Sequence, residues 1–160
     1  MKKLLIVRHA KASLGGAEQR DIERPLTKSG QHAAESLATL LKTQEIFADH
    51  LVSSPALRTL STAKHLASVL QYPENLITVQ PELYDAELSS LVKTIQQFDS
   101  KWKTVWLVGH NPSLTELCVF LSEDFTAELP TCGAVYFELP ILEWKDLDQG
   151  QGSILSQFNL

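Results

Sequence analysis

Apolar residues fall along this chain in two rhythms. Leu4-Leu5-Ile6-Val7 and Thr104-Val105-Trp106-Leu107-Val108 are nearly unbroken runs, the pattern of strands covered on both faces. Leu51-Val52-Ser53-Ser54 and Leu76-Ile77-Thr78-Val79 predict two shorter strands. Between these runs the apolar positions recur at helical spacing. Ala33, Ala34, Leu37, Leu40 and Leu41 share one face of a helix capped by Thr27. Leu57, Leu60, Ala63, Leu66 and Ala67 mark a second, running to about Leu70, with Ser54-Pro55 as its N-cap and first helical position. A third covers 87–98 with Leu88, Leu91, Val92, Ile95 and Phe98 on one side, and Asn111-Pro112 opens a fourth through about Leu121. Residues 11–26 carry Gly15-Gly16 and Pro25 without periodicity and predict a loop. Ala134–Leu139 alternates like a half-exposed strand, and 153–158 is a last candidate. Strands alternating with helices predict an α/β fold: a three-layer α/β/α sandwich with a mostly parallel central sheet and helices on both faces. Neither a repeat nor a linker divides the chain, so residues 1–160 read as one domain.

Composition narrows the class. With 160 residues, 44% hydrophobic and 21% charged, the chain is neither disordered, collagen-like nor a coiled coil. No apolar run approaches the roughly 20 residues of a membrane span. The apolar stretch behind Lys2-Lys3 stops after four residues at Arg8-His9, short of the roughly 7–15 of a secretory signal. A cytoplasmic protein that does not engage membranes is the expectation. Cys118 and Cys132 are too far apart for a redox pair or a zinc knuckle and read as incidental thiols.

Charge carries more information in its distribution than in its sum. The net −5 argues against nucleic-acid binding, which needs a basic field. Yet residues 1–30 hold seven of the fourteen cations and three acids, whereas 123–148 hold seven acids and one lysine. The only four arginines all precede residue 59. Arginine grips planar anions at two points where lysine cannot, so a local anion site inside an acidic protein is the first hint of chemistry.

The placement of two histidines sharpens that hint. Arg8-His9 follows the first buried strand directly, and Gly109-His110 follows the last strong parallel one. Ligands of open α/β sheets bind beyond the carboxyl ends of the strands. Arg58 falls in the first turn of a helix that also follows a strand, and His110 sits at a helix N-terminus, which favours an anion. Two histidines and two arginines can thus converge on one phosphoryl group. Neutral imidazole is a nucleophile at pH 7, arginine forks stabilise equatorial oxygens, and a covalent intermediate splits one hard step into two.

Val-Arg-His-Ala at 7–10, Ser-Ser-Pro-x-x-Arg at 53–58 and Val-Gly-His-Asn at 108–111 together resemble the histidine phosphatase superfamily, whose founding group is the phosphoglycerate mutases. Asp-x-x-Arg-Pro-Leu-Thr at 21–27 and the small size are similar to its SixA-type branch of phosphohistidine phosphatases. The resemblance spans roughly residues 3–140 and implies a phosphoglycerate mutase-like fold. It implies His9 as phosphoryl acceptor, with Arg8, Arg58 and His110 binding the phosphoryl group and Asn111 adding a backbone donor. Ala10 stands where the family usually has glycine, a variant that SixA-like relatives share. The proton donor is the open position: Glu82-Leu83-Tyr84-Asp85 offers Asp85, with Glu82 as the alternative, and SixA-type enzymes lean less on this acid.

Arg24 either contacts substrate or pins its loop through Asp21, while Lys11 and Ser13 either reach substrate or lie exposed. His32, His50 and His65 read as structural, on helices or flanking them. The expected function is metal-independent, cofactor-free hydrolysis by a monomer, on phosphohistidine in a partner protein. A small phosphoester is the alternative substrate and a non-catalytic phosphate reader the alternative class. A mutase needs enclosing insertions for which 160 residues leave little room.

Overall fold

Alternate residues of β1 (Lys2–Arg8) face opposite ways, and each face has its own core. Leu4 and Ile6 enter one cluster with Leu91, Ile95, Leu114 and Leu117, while Leu5 and Val7 enter another with Leu37, Leu41, Ala63 and Leu66. This two-sided burial is why the strand reads as an unbroken apolar run. The computed structural model describes residues 1–159. After β1 come α1 (Lys28–Thr43), β2 (His50–Ser53), α2 (Leu57–Leu70), β3 (Thr78–Val79) and α3 (Leu88–Gln96), then β4 (Thr104–Gly109), α4 (Ser113–Leu121), β5 (Ala134–Leu139) and β6 (Ser153–Phe158).

The six strands lie in the order β3-β2-β4-β1-β5-β6. The first four are parallel to one another, and β5 runs antiparallel to β1 and to β6. The helix layers follow from the handedness of the crossovers. The steps from β1 to β2 and from β2 to β3 move toward the same edge, so right-handed connections place α1 and α2 on one face, where they pack together. The step from β3 to β4 turns back, and α3 falls on the opposite face beside α4. The predicted sandwich is the observed one. No helix among the described residues is long and apolar enough to cross a membrane.

Some boundaries differ from the reading of the sequence. Only Thr78 and Val79 pair as β3, because Glu74–Leu76 forms a 3-10 turn. The third helix is shorter than 87–98. The helix expected to start at Ser54-Pro55 starts at Leu57 behind Ala56, whose N–H donates to Ser54 Oγ at 3.3 Å. His50 lies in β2, where its ring stacks on Trp102 at 3.7 Å, and not on or beside a helix. The alternation in β5 is not half-exposure: every residue but Glu138 is buried, because the two cores cover both its faces.

β4 lies between β1 and β2, with Arg8 beside Gly109 and Ser53 beside Val108. The residues that follow these strand ends, His9, Ser54 and His110, therefore meet at one edge of the sheet.

Candidate active site

His9 and His110 meet with ring centroids 5.5 Å apart, both rings being almost wholly buried. The backbone N–H of His9 donates to the Gly109 carbonyl at 3.1 Å, which extends the β1–β4 pairing one residue past the strand. The His9 Nδ1 lies 2.7 Å from the Ala10 carbonyl oxygen. A carbonyl can only accept, so Nδ1 carries the hydrogen and Nε2 keeps its lone pair. Ala10 is itself anchored, its N–H donating to Thr62 Oγ1 at 3.0 Å.

His110 is held from the other side. Its Nε2 pairs with Ser54 Oγ at 2.8 Å, and the Tyr84 ring meets its ring edge-on at 5.7 Å. The hydroxyl expected to cap α2 thus orients a histidine while still accepting from the Ala56 N–H ahead of the helix. Burial lowers the His9 imidazole to about 4, aided by the charges of Arg58, Arg8 and Arg24. Burial likewise lowers His110 to about 3, with Arg58 next in weight. Both rings are neutral at pH 7.

The two arginines are fixed by their ends. Arg8 Nη1 donates to the Leu129 carbonyl at 3.1 Å. Arg58 Nη1 donates to the Asp21 carbonyl at 2.8 Å and Nη2 to its carboxylate at 3.0 Å, from a side chain only 8% exposed. What remains is informative: besides the core Trp106 Nε1, Arg8 Nε, Arg58 Nε and His110 Nδ1 are buried without a hydrogen-bond partner. Unpaired buried polar atoms are costly and rare, and here two sit on guanidinium groups whose charges bear on His9 and on the ring beside it, which makes this a seat for an anion.

The remaining sequence candidates fall around this seat. Arg24 donates from Nε to the Ser13 carbonyl at 2.6 Å and from Nη1 to Asp21 at 3.1 Å, so it pins the loop and adds positive charge near His9. Lys11 is exposed, and it is its carbonyl that is used, accepting from the N–H of Thr27 at 2.9 Å. Gly30 is required there, because a Cβ would lie 2.2 Å from the Lys11 oxygen. The Asn111 side chain is committed to the fold, donating to the Leu129 carbonyl and accepting from Thr115. Only its backbone is left for a ligand.

Asp85 follows directly on Tyr84, whose ring meets His110. It occupies a left-handed turn (φ 54°) and lines a cleft with Glu82, Glu87 and Lys93. The residue of that stretch which reaches the seat is Tyr84, whose hydroxyl donates to Asp21 at 2.7 Å. Asp21 is the carboxylate present there: Tyr84, Arg24 and Arg58 hold it well below the usual carboxylate range. Reading the sequence assigned no role at the seat to Asp21, Tyr84 or Ser54. Each stands inside or beside a motif, but their contacts join segments far apart in the chain.

Comparison with known proteins agrees with this geometry. Residues 4–112 match the model of the histidine phosphatase superfamily (branch 1). An uncharacterised chloroplastic protein of Arabidopsis thaliana is 28% identical over 153 residues, covering 91% of this chain and 70% of that one. A protein of Agrobacterium tumefaciens assigned as a phosphohistidine phosphatase SixA shares the fold with a TM-score of 0.82 and 22% identity, over 99% of this chain and 98% of that one. The protein histidine phosphatase SixA complexed with tungstate superposes with a TM-score of 0.81 and 25% identity, over 97% and 95% of the two chains.

Proposed function

The chain belongs to the histidine phosphatase superfamily, and on that footing we propose that this phosphatase removes the phosphoryl group from phosphohistidine in a partner protein, with His9 as nucleophile. The observation that carries the reading is the bond from His9 Nδ1–H to the Ala10 carbonyl. It leaves a neutral imidazole with Nε2 unprotonated, beside three buried nitrogens that lack acceptors. The likeness to a SixA phosphatase at 25% identity supports the substrate class.

The chemistry balances without a protein acid. Nε2 of His9 attacks phosphorus, and the electron pair of the breaking P–N bond returns to the substrate ring. A phosphohistidine protonated at its other ring nitrogen leaves as neutral imidazole, so no proton has to be delivered during cleavage. Water then attacks phospho-His9, the N–P bond breaks, and the water proton stays with the departing phosphate. The hydrogen stays on Nδ1 throughout, donated to the Ala10 carbonyl, whose oxygen stabilises the imidazolium of the intermediate. The guanidinium groups of Arg8 and Arg58 place positive charge beside the oxygens on which charge develops, and His110 Nδ1 adds a donor in the tautomer whose Nε2 accepts from Ser54 Oγ–H. An ionised Asp21 is a poor acid, which suits a leaving group that needs none.

The test compares wild type with His9→Ala on phosphohistidine and p-nitrophenyl phosphate. With a ³²P-labelled substrate and alkaline quenching, label should be retained on wild type and absent from the variant. Equal rates for both proteins would overturn the reading. A preference for phosphoesters at equal concentration would move the substrate to the small-molecule class.

A further inference from the structure

We propose that the groove between α3 and α4 docks a basic amphipathic helical segment of the phosphorylated partner, next to its phosphohistidine; this rests on the phosphohistidine reading above. The groove has a volume of about 750 Å³ and opens beside the anion seat. One wall begins at Ala86, two residues past Tyr84, and the other at Pro112, two residues past His110. Tyr84 and His110 are in ring contact, so the groove and the seat share a border.

Its shape fits a helix. Leu88, Val92 and Gln96 stand one turn apart along α3, and Glu116 and Phe120 one turn apart along α4. Positions 88 to 96 span about 12 Å at 1.5 Å per residue, about two turns of a helix laid alongside. Leu88, Val92 and Phe120 are half-buried, resting on the core with their outer sides bare. Two such ridges with an apolar floor receive the apolar stripe of an amphipathic helix.

Its charge selects the partner. Glu87 and Glu116 rim the groove, and the adjoining cleft adds Glu82 and Asp85, against Lys93 alone. Asp85, Glu87 and Glu116 have no ion-pair partner among the described residues. Lysine or arginine flanking the apolar stripe would meet these carboxylates, whereas acidic flanks would be repelled. The phosphoryl group enters a cationic seat while its carrier crosses an anionic rim. That combination favours a basic protein segment over a small phosphoester, which is too short to reach the rim.

The experiment uses two helical peptides of identical apolar pattern around one histidine, one with lysine and one with glutamate flanks. Unphosphorylated, they are titrated by fluorescence anisotropy; phosphorylated, they serve as substrates beside p-nitrophenyl phosphate. The lysine peptide should bind at least about tenfold more tightly at low salt, lose that advantage at high salt, and show the higher kcat/KM. Glu87→Lys with Glu116→Lys should reverse the preference and leave p-nitrophenyl phosphate turnover unchanged. Equal binding of the two peptides, or a preference that survives charge reversal, would overturn the proposal. So would self-association in sedimentation that the double variant abolishes, since the groove would then belong to a second copy. Failure of the phosphatase reading shows separately, as absent turnover of every phosphorylated substrate with peptide binding intact.

Discussion

Arg58 meets Asp21 twice, at the backbone carbonyl and at the carboxylate, 2.8 and 3.0 Å away. These bonds hold the guanidinium by its terminal nitrogens and leave Nε–H buried and unpaired. Asp21 is itself gripped by Tyr84 and Arg24. If Arg58 binds the phosphoryl group as proposed, the carboxylate acts through it by fixing the guanidinium. Asp21→Ala should lower kcat/KM about 10²-fold, the scale of a misplaced binding group. The loss should be equal for p-nitrophenyl phosphate and an alkyl phosphate, and Asp21 and Arg58 substitutions should be strongly non-additive in tungstate binding. A loss confined to the alkyl phosphate would instead make Asp21 the proton donor.

Acid should destabilise the fold through the same site. Burial holds His9 at about 4 and His110 at about 3, both below the 6.5 of an exposed imidazole. Burial lowers His50 as well. Below pH 6.5 the unfolded chain binds protons that the folded one refuses. Stability is thus greatest above pH 6.5 and falls as pH drops toward the folded-state values, with a limiting slope of about 1.4 kcal/mol per pH unit for each group. Urea unfolding from pH 7 to 4 should show this decline. His110→Gln should flatten it in part, leaving the shares of His9 and His50. A midpoint constant over that range would contradict the burial of all three rings.

Activity should survive chelation. His9 commits its Nδ1 to the Ala10 carbonyl and His110 its Nε2 to Ser54, while Arg8 and Arg58 place two positive charges beside the remaining ring nitrogens. A divalent cation there meets repulsion and no carboxylate but one already held by two arginines. EDTA should leave kcat/KM on phosphohistidine within about twofold, an energy change under RT. Abolition by EDTA with recovery on adding magnesium or zinc would overturn the mechanism.

How far the sequence reveals this site depends on the distance over which each contact acts. β1 and β4 are legible because burial on both faces leaves unbroken apolar runs, and His9 and His110 follow those runs directly. Their meeting needs only the rule that ligands gather at carboxyl strand ends. Ser54 is misread because Ser-Pro before a helix is a good local cap, yet tertiary packing gives its hydroxyl to a histidine 56 residues away. Tyr84 and Asp21 are 63 residues apart, and no periodicity links two polar side chains across that interval. β3 is overestimated for a related reason: Leu76 looks like strand, but it is 53% exposed in a turn, so nothing buries the run that its composition suggests.

The proton donor is where those two kinds of legibility collide. A carboxylate in the stretch after a predicted strand looks like an acid aimed at the site, and the resemblance offers Asp85 there with Glu82 as the alternative. The chain instead turns at Asp85 in a left-handed conformation, which sends Tyr84 to His110. Glu82 accepts from Gln80 at 2.9 Å and is exposed. General acid catalysis is typically worth about 10²–10⁴-fold, so a true donor cannot be removed quietly on a substrate that needs one. Asp85→Asn and Glu82→Gln should each keep kcat/KM within about threefold, both on phosphohistidine and on an alkyl phosphate, and kcat/KM is the quantity to compare because it isolates transition-state stabilisation. The wild-type enzyme should favour phosphohistidine over the alkyl ester at equal concentration, because its site offers no protonated acid to an alkoxide. A loss of 10²-fold or more on the alkyl phosphate alone in Asp85→Asn would mean that the turn swings Asp85 onto the leaving oxygen once substrate is bound. The enzyme would then be a general phosphoesterase.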